Sequence, residues 1–208
     1  WKAVGERYRA LLPYVAHRSD LNYIISEMTS ELTVQHAYVQ GGDFEMPRSL
    51  SLLPSPRGQA EIIARGSVIA ADRSVPFVMS DVDPAQLPTA DVPAGGGAAD
   101  LVDNVVLPSK DVIHAGDGSP ALLIAADGDI LGGAWQFAKH FRAIAGGDIR
   151  DLSLTGQNTS AGQISLIQAG RDVDLNARDN PANSSGNRIE LSGPGRLQVL
   201  AGRNVSLG

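Results

Sequence analysis

Residues Ala143–Leu154 read AIAGGDIRDLSL, and Leu166–Ala177 read LIQAGRDVDLNA. Each stretch sets small and apolar residues ahead of a glycine-containing corner that ends in Asp, and then alternates apolar with polar residues. Glycine makes such a corner because it takes tight backbone geometry without strain, and Asp is expected to bond its own backbone two residues on. The alternation that follows, Ile149, Leu152 and Leu154 or Val173 and Leu175, has the period of a strand with one buried face.

The same unit recurs as IIARGSVIA from Ile62, LIAADGDIL from Leu123 and VLAGRNVSLG from Val199. Its aligned corner residues are Ser67, Asp129, Asp148, Asp172 and Asn204. They are separated by 62, 19, 24 and 32 positions, a basic step near 20 residues interrupted by insertions. Repeats of that length are solenoid coils, each burying its apolar face against its neighbours. The expected fold is therefore mainly β, an irregular parallel β-solenoid. The competing reading of the same short strands and glycine turns is an antiparallel sandwich or barrel, and repetition of one unit rather than of a hairpin favours the solenoid.

Composition divides the chain near residue 47. All four tyrosines (Tyr8, Tyr14, Tyr23 and Tyr38) precede it, with only three of the 23 glycines and one of the 12 prolines. Val4, Tyr8, Leu11 and Leu12 mark one face of a helix that Pro13 ends. Leu21, Ile24, Ile25, Met28 and Leu32 mark a second, with Ser19 or Asp20 as its cap. From Thr33 to Val39 the period falls to two, and Gly41-Gly42-Asp43 reads as a turn. The expectation is a small helix-helix-strand segment over 1–47, joined to a solenoid over 48–208 with a loop insertion near 80–100.

The 208 residues carry a formal charge of −6, are 43% hydrophobic and include no cysteine. The acidic balance argues against a nucleic-acid partner, and the missing thiols exclude disulfides and cysteine chemistry. No apolar run reaches the roughly 20 residues of a membrane span. Nor does any basic stretch lead into an apolar one as in a signal peptide. The pattern is expected to be a fragment at both ends.

The candidate sites are few. Asp81, Asp83 and Asp91 lie in a proline-rich stretch where exposed aspartates are the default. His114 and His140 have no second ligand at metal-binding spacing. GGDIRDL is similar to a calcium turn but lacks the tandem repeat, so a structural turn is expected; the site inventory is no metal and no cofactor. Trp135, Phe137 and Phe141, with Lys139, His140 and Arg142, are read as capping or lining a coil rather than forming a surface patch. Asn158, Asn183 and Asn204 begin N-x-S patterns to which no role is attached.

The run ERYRALLPYVAHRSDLNYIISEMTSELTVQHAYVQGGDFEMP, from Glu6 to Pro47, resembles the helical domain that precedes the PDZ domain of tricorn-type serine proteases. That resemblance implies that His36 occupies the position of a general base to a serine nucleophile. The nucleophile, oxyanion hole and glutamate of that family have no counterpart here, and Gln35 stands where its founding protease has a second serine. His36 is thus the one candidate catalytic residue and is expected to be non-functional, because a base without a nucleophile performs no acyl transfer.

Residues 49–208, through LLPSPRGQAEIIARGSV, VMSDVDPAQLPT and GGDIRDLSLTGQN, resemble large filamentous haemagglutinin-type exoproteins. That resemblance implies a right-handed β-helix, two-partner secretion through an outer-membrane pore, host or cell-surface ligands, and further solenoid coils in the parent protein. The expected location is extracellular or at the cell surface; the peptidase alternative, hydrolysis of short peptides, would place the chain in the cytoplasm. Because the two families belong to different compartments, a fusion near Pro47 is expected.

Overall fold

The computed structural model describes residue 9 and residues 12–15, 34–70, 76–81, 112–175 and 187–207. The two helices expected ahead of residue 34 and most of the loop expected near 80–100 lie outside the described residues. What is described is almost entirely strand, with one 3-10 turn at Leu12–Tyr14.

Six coils follow one another. The first holds β1 (Val34–Val39), β2 (Phe44–Met46) and β3 (Leu50–Leu52), and the second β4 (Gln59–Ala64), β5 (Val68–Ala70) and β6 (Pro76–Met79). The third holds β7 (Ala121–Ala125), β8 (Ile130–Leu131) and β9 (Ala134–Gln136), and the fourth β10 (Phe141–Ala145), β11 (Ile149–Arg150) and β12 (Ser153–Gln157). In the fifth are β13 (Ile164–Ala169), β14 (Val173–Asp174) and β15 (Ile189–Ser192); β16 (Arg196–Ala201) and β17 (Val205–Ser206) form the sixth. Corresponding strands pair in parallel along three sheets. The first runs β1-β4-β7-β10-β13-β16, the second β2-β5-β8-β11-β14-β17 and the third β3-β6-β9-β12-β15. This is a parallel β-solenoid, as the repeat unit predicted.

The position near 47 falls inside the first coil. Val34–Val39 pairs residue for residue with Gln59–Ala64, and Phe44–Met46 with Val68–Ala70, so the solenoid begins before the change in composition. The strand expected over Thr33–Val39 is present, and its partner is a coil on the far side of that change.

Register turns the repeat into columns of like side chains. At the end of the first sheet Ala64, Ala125, Ala145, Ala169 and Ala201 lie opposite one another in succession. One layer earlier the column is Ile62, Leu123, Ala143, Ile167 and Val199. The second sheet contributes Val68, Ile130, Ile149 and Val173, all fully buried. In the third, Leu50, Phe77, Trp135, Leu154 and Ile189 stack in register. Phe77 lies 5.8 Å from Trp135 and 5.6 Å from Phe137, whose ring is 5.5 Å from Phe141. The alanine column stands where the first sheet ends at the corner, the place with least room between turning backbones; bulk is carried by the other columns.

The corner between the first and second sheets is closed by side chains reaching from one coil to the next. Asp43 accepts the amide of Ser67 at 2.6 Å, and Ser67 Oγ accepts the amide of Asp129 at 3.1 Å. Asp129 accepts the amide of Asp148 at 2.7 Å, Asp148 that of Asp172 at 3.0 Å, and Asp172 that of Asn204 at 3.1 Å. The sequence alignment predicted which residues share this position, but not the bond. Asp was expected to close its own turn locally; instead it caps the equivalent amide one coil along, which parallel stacking brings within hydrogen-bonding distance.

Guanidinium groups brace the ladder. Arg171 reaches Asp129 at 2.7 Å and Asp148 at 3.0 Å, and Arg203 reaches Asp172 at 2.6 Å. A Cβ on Gly147 would fall on the Asp129 carboxylate and crowd the Arg171 guanidinium, so this glycine makes room for the arginine above it. Hydrogen bonding from Arg171 is the main cause that holds the Asp148 carboxyl below its ordinary value; the backbone amide of Asp172 adds to it. GGDIRDL is accordingly a structural turn: its first Asp is occupied by protein donors.

A second glycine column is set by close approach. A Cβ on Gly170 would meet the carbonyl oxygen of Gly146, and one on Gly202 would meet that of Gly170. Gly170→Ala is therefore expected to lower stability by about 1–3 kcal/mol through overpacking. Gly162→Ala, with nothing near the added methyl, should be close to neutral. Chemical denaturation of the two variants side by side checks this. Asp148→Ala should cost about 1–3 kcal/mol by stranding the Asp172 amide. Asp148→Asn keeps an acceptor and should cost less. Because the Asp148 pKa is depressed in the fold, its charge contributes stability above the ordinary 3.8 that is lost as pH falls through the folded value. The acid limb of a stability-against-pH curve should thus be shallower in Asp148→Asn than in the parent.

Candidate functional site

Lys139 has no exposed surface, and a fully buried ammonium must have its charge answered locally. It sits in the connection between β9 and β10, beside the aromatic stack. Its Nζ donates to Asp117 Oδ2 at 2.5 Å and to Gln59 Oε1. Gln59 in turn donates from Nε2 to the carbonyl of Pro120 at 2.7 Å. One glutamine in β4 thereby ties the buried cation to the segment that leads into β7.

That segment, Val112–Pro120, is held by its own turns and by side chains of other coils. The amide of Ala115 donates to the Val112 carbonyl, and that of Asp117 to the His114 carbonyl. Asp117 Oδ1 accepts the Ser119 amide at 2.9 Å, and Gln163 Nε2 donates to the Asp117 carbonyl at 3.3 Å. Burial alone would raise the Asp117 carboxyl, but hydrogen bonds from Lys139 and from the Ser119 amide outweigh it and hold the group below its usual range.

Two histidines complete the cluster. His114 is buried, with Nδ1 at 3.5 Å from Asp117 Oδ2, and neither ring nitrogen makes a hydrogen bond. His140 is buried, is hydrogen-bonded to the backbone of Gly118, and leaves Nδ1 without a partner. Burial is the first cause, and the Lys139 charge the second, that lowers the pKa of both rings.

Beside this cluster lies a groove of about 830 Å³. Pro56, Arg57, Gln59 and Glu61 form one wall; Gly116, Asp117, Ser119 and Pro120 are on the other. Asp117 therefore belongs both to the groove wall and to the buried ion pair. Its carboxylate, the hydroxyl of Ser119 and the charged ends of Arg57 and Glu61 give the groove polar character without an aromatic platform.

The other expected residues fall into place around this site. Trp135, Phe137, Phe141, Lys139 and His140 are buried, as the coil-lining reading held, and Arg142 is exposed. Asn158 is buried and Asn204 exposed in the ladder, while Asn183 lies outside the described residues. Asp81 is described, and Asp83 and Asp91 are not. Among the described residues no group of three His, Cys, Asp or Glu is placed to hold a metal ion. No helix among them is long and apolar enough to cross a membrane. The backbone of His36 lies in β1, registered with Glu61; its side chain is outside what is described.

Known proteins add one observation. Residues 1–30 match the Tricorn protease C1 domain. The match ends before His36 and covers the part of the chain that, apart from Arg9 and Leu12–Val15, is not described. No curated protein and no solved structure matches the chain.

The pairing of Lys139 with Asp117 was not legible in the sequence, because 22 positions and a whole strand path separate them. The only available signal was a lysine inside an aromatic run. The pair yields an asymmetric expectation. Asp117→Ala strands a cation with no exposure and should cost about 3–5 kcal/mol. Lys139→Met should cost less, since the Asp117 side chain is 17% exposed and water can reach it. Urea unfolding of both variants tests the order; equal losses would show that the pair is not governed by burial of the ammonium.

Proposed function

We propose that this chain is a non-catalytic section of a long, secreted, filamentous haemagglutinin-type exoprotein, acting by reach and display. The observation that carries the reading is the solenoid itself, three parallel sheets whose strands stack in register from coil to coil. β15, β16 and β17 each pair on one side only, and Leu197, Leu200, Val205 and Leu207 are exposed there. Unpaired strand edges with apolar side chains are costly in water and prone to further pairing. In this reading the partners are an outer-membrane secretion pore and ligands on host or cell surfaces, and the location is extracellular.

A second reading is supported by the match of residues 1–30 to the Tricorn protease C1 domain. Under it the chain derives from a peptidase acting on short peptides, inactive as it stands because His36 has no serine nucleophile to serve.

Two measurements separate the readings. An antibody against the coils should label intact cells; labelling only after lysis would overturn secretion. The purified chain should not hydrolyse fluorogenic short peptides. Turnover that disappears in His36→Ala would instead establish the peptidase reading and give that histidine a catalytic part.

A further inference from the structure

The cluster at the corner before β7 contains more potential positive charge than its one paired carboxylate can answer. We propose that His114, Asp117, Lys139 and His140 form an acid-opened latch: with both rings uncharged Asp117 holds Val112–Pro120 against the coils, and proton uptake by the rings releases that segment.

The geometry sets the conflict. Asp117 Oδ2 is shared between the Lys139 ammonium at 2.5 Å and His114 Nδ1 at 3.5 Å. The ammonium is enclosed in the closed corner, so the carboxylate is already committed to it. A proton on His114 would place a second cation against the same oxygen, and one on His140 a third within the same corner. The surroundings do not cancel the excess. Asp81 faces His114 and favours its charged form, but Arg142 faces His140 and opposes it. The acceptor nearest to His114 is the Asp117 oxygen already used by Lys139, and His140 Nδ1 has no partner. Opening carries His114 away from Lys139 and uncovers His140 to water.

The direction in pH follows from linkage. Release returns His114 to its ordinary 6.5 and relieves the burial of His140, whereas in the closed corner burial and Lys139 hold both rings lower. The open form thus binds more protons, and the closed form loses stability as pH falls through 6.5. Asp117 behaves oppositely in position: its carboxyl is held below 3.8, so the ion pair stays charged through the whole histidine range. Between these two values only the rings change protonation, and opening parts Asp117 from Lys139 while both are still charged. Opening also takes away one wall of the groove, since Gly116, Asp117, Ser119 and Pro120 travel with the segment.

Hydrogen exchange with mass-spectrometric readout, corrected for the intrinsic pH dependence of exchange, tests this on the whole chain. Peptides covering 112–120 should lose protection below the ordinary histidine value, with the opening equilibrium rising up to roughly tenfold per pH unit for each histidine. Peptides from β10 and β13 should keep theirs. Constant protection of 112–120, or equal loosening of every coil, would overturn the proposal. The double variant His114→Gln, His140→Gln should hold the segment closed in acid, and release identical to the parent would count against the latch. Should that variant not fold, proton NMR of the parent decides: ring signals of His114 and His140 must titrate below 6.5 together with opening, and ordinary titration in a closed segment refutes the idea.

Discussion

An acceptor in one coil capping an amide in the next is the bond on which the solenoid depends. It recurs from Asp43 to Asn204 along the corner of the first and second sheets, each time between equivalent positions. Sheet hydrogen bonds alone would tolerate sliding of one coil against another wherever the inward columns are alike, as in the alanine column. The ladder removes that freedom, because a shift of one residue would leave each Asp facing a side chain and each corner amide without a partner. Register in turn aligns the Ile, Leu, Val and aromatic columns that hold the core. The arginines follow from the same order: carboxylates stacked at coil spacing repel, and Arg171 and Arg203 each bridge to the ladder from above.

How much of this could be read from residues alone depended on whether the repeat kept its spelling. Asp148 and Asp172 sit in near-identical words, and Ser67, Asp129 and Asn204 in variants of them, so five rungs and the solenoid itself were legible. Asp43 was not. Gln40-Gly41-Gly42-Asp43 is the same word, but tyrosine-rich sequence and a tricorn-like pattern surround it, and locally Gly41-Gly42-Asp43 reads as an ordinary turn. Pairing of β1 with β4 makes it the first rung. The buried corner was hidden for a different reason. Asp117 follows a long insertion with no repeat character, and Gln59, Lys139 and Gln163 gather around it only because four successive coils begin along the same edge. Local pattern contains no trace of such a meeting; coil stacking creates it.

The two polar clusters do different things with similar residues. The ladder lies near solvent, its arginines about half exposed, and Asp129, Asp148 and Asp172 each have several donors. It is well satisfied and tolerant of charge. The Lys139 corner is enclosed, with one carboxylate for a cation and two rings whose nitrogens are incompletely paired. Solvent access makes the first a fastening and enclosure makes the second a point of sensitivity, although both rest on Asp and a basic side chain.

Strand spacing has a consequence for how such a chain changes length. At the ladder corner three or four residues separate the strands in every coil: Val39 to Phe44, Ala64 to Val68, Ala125 to Ile130, Ala145 to Ile149, Ala169 to Val173 and Ala201 to Val205. The other two corners stretch freely, from Met79 to Ala121 in one coil and from Asp174 to Ile189 in another. One edge of the prism is a spine and two are margins. New segments can enter at a margin without disturbing register, so the solenoid can acquire cargo on two sides while its third keeps count of the coils.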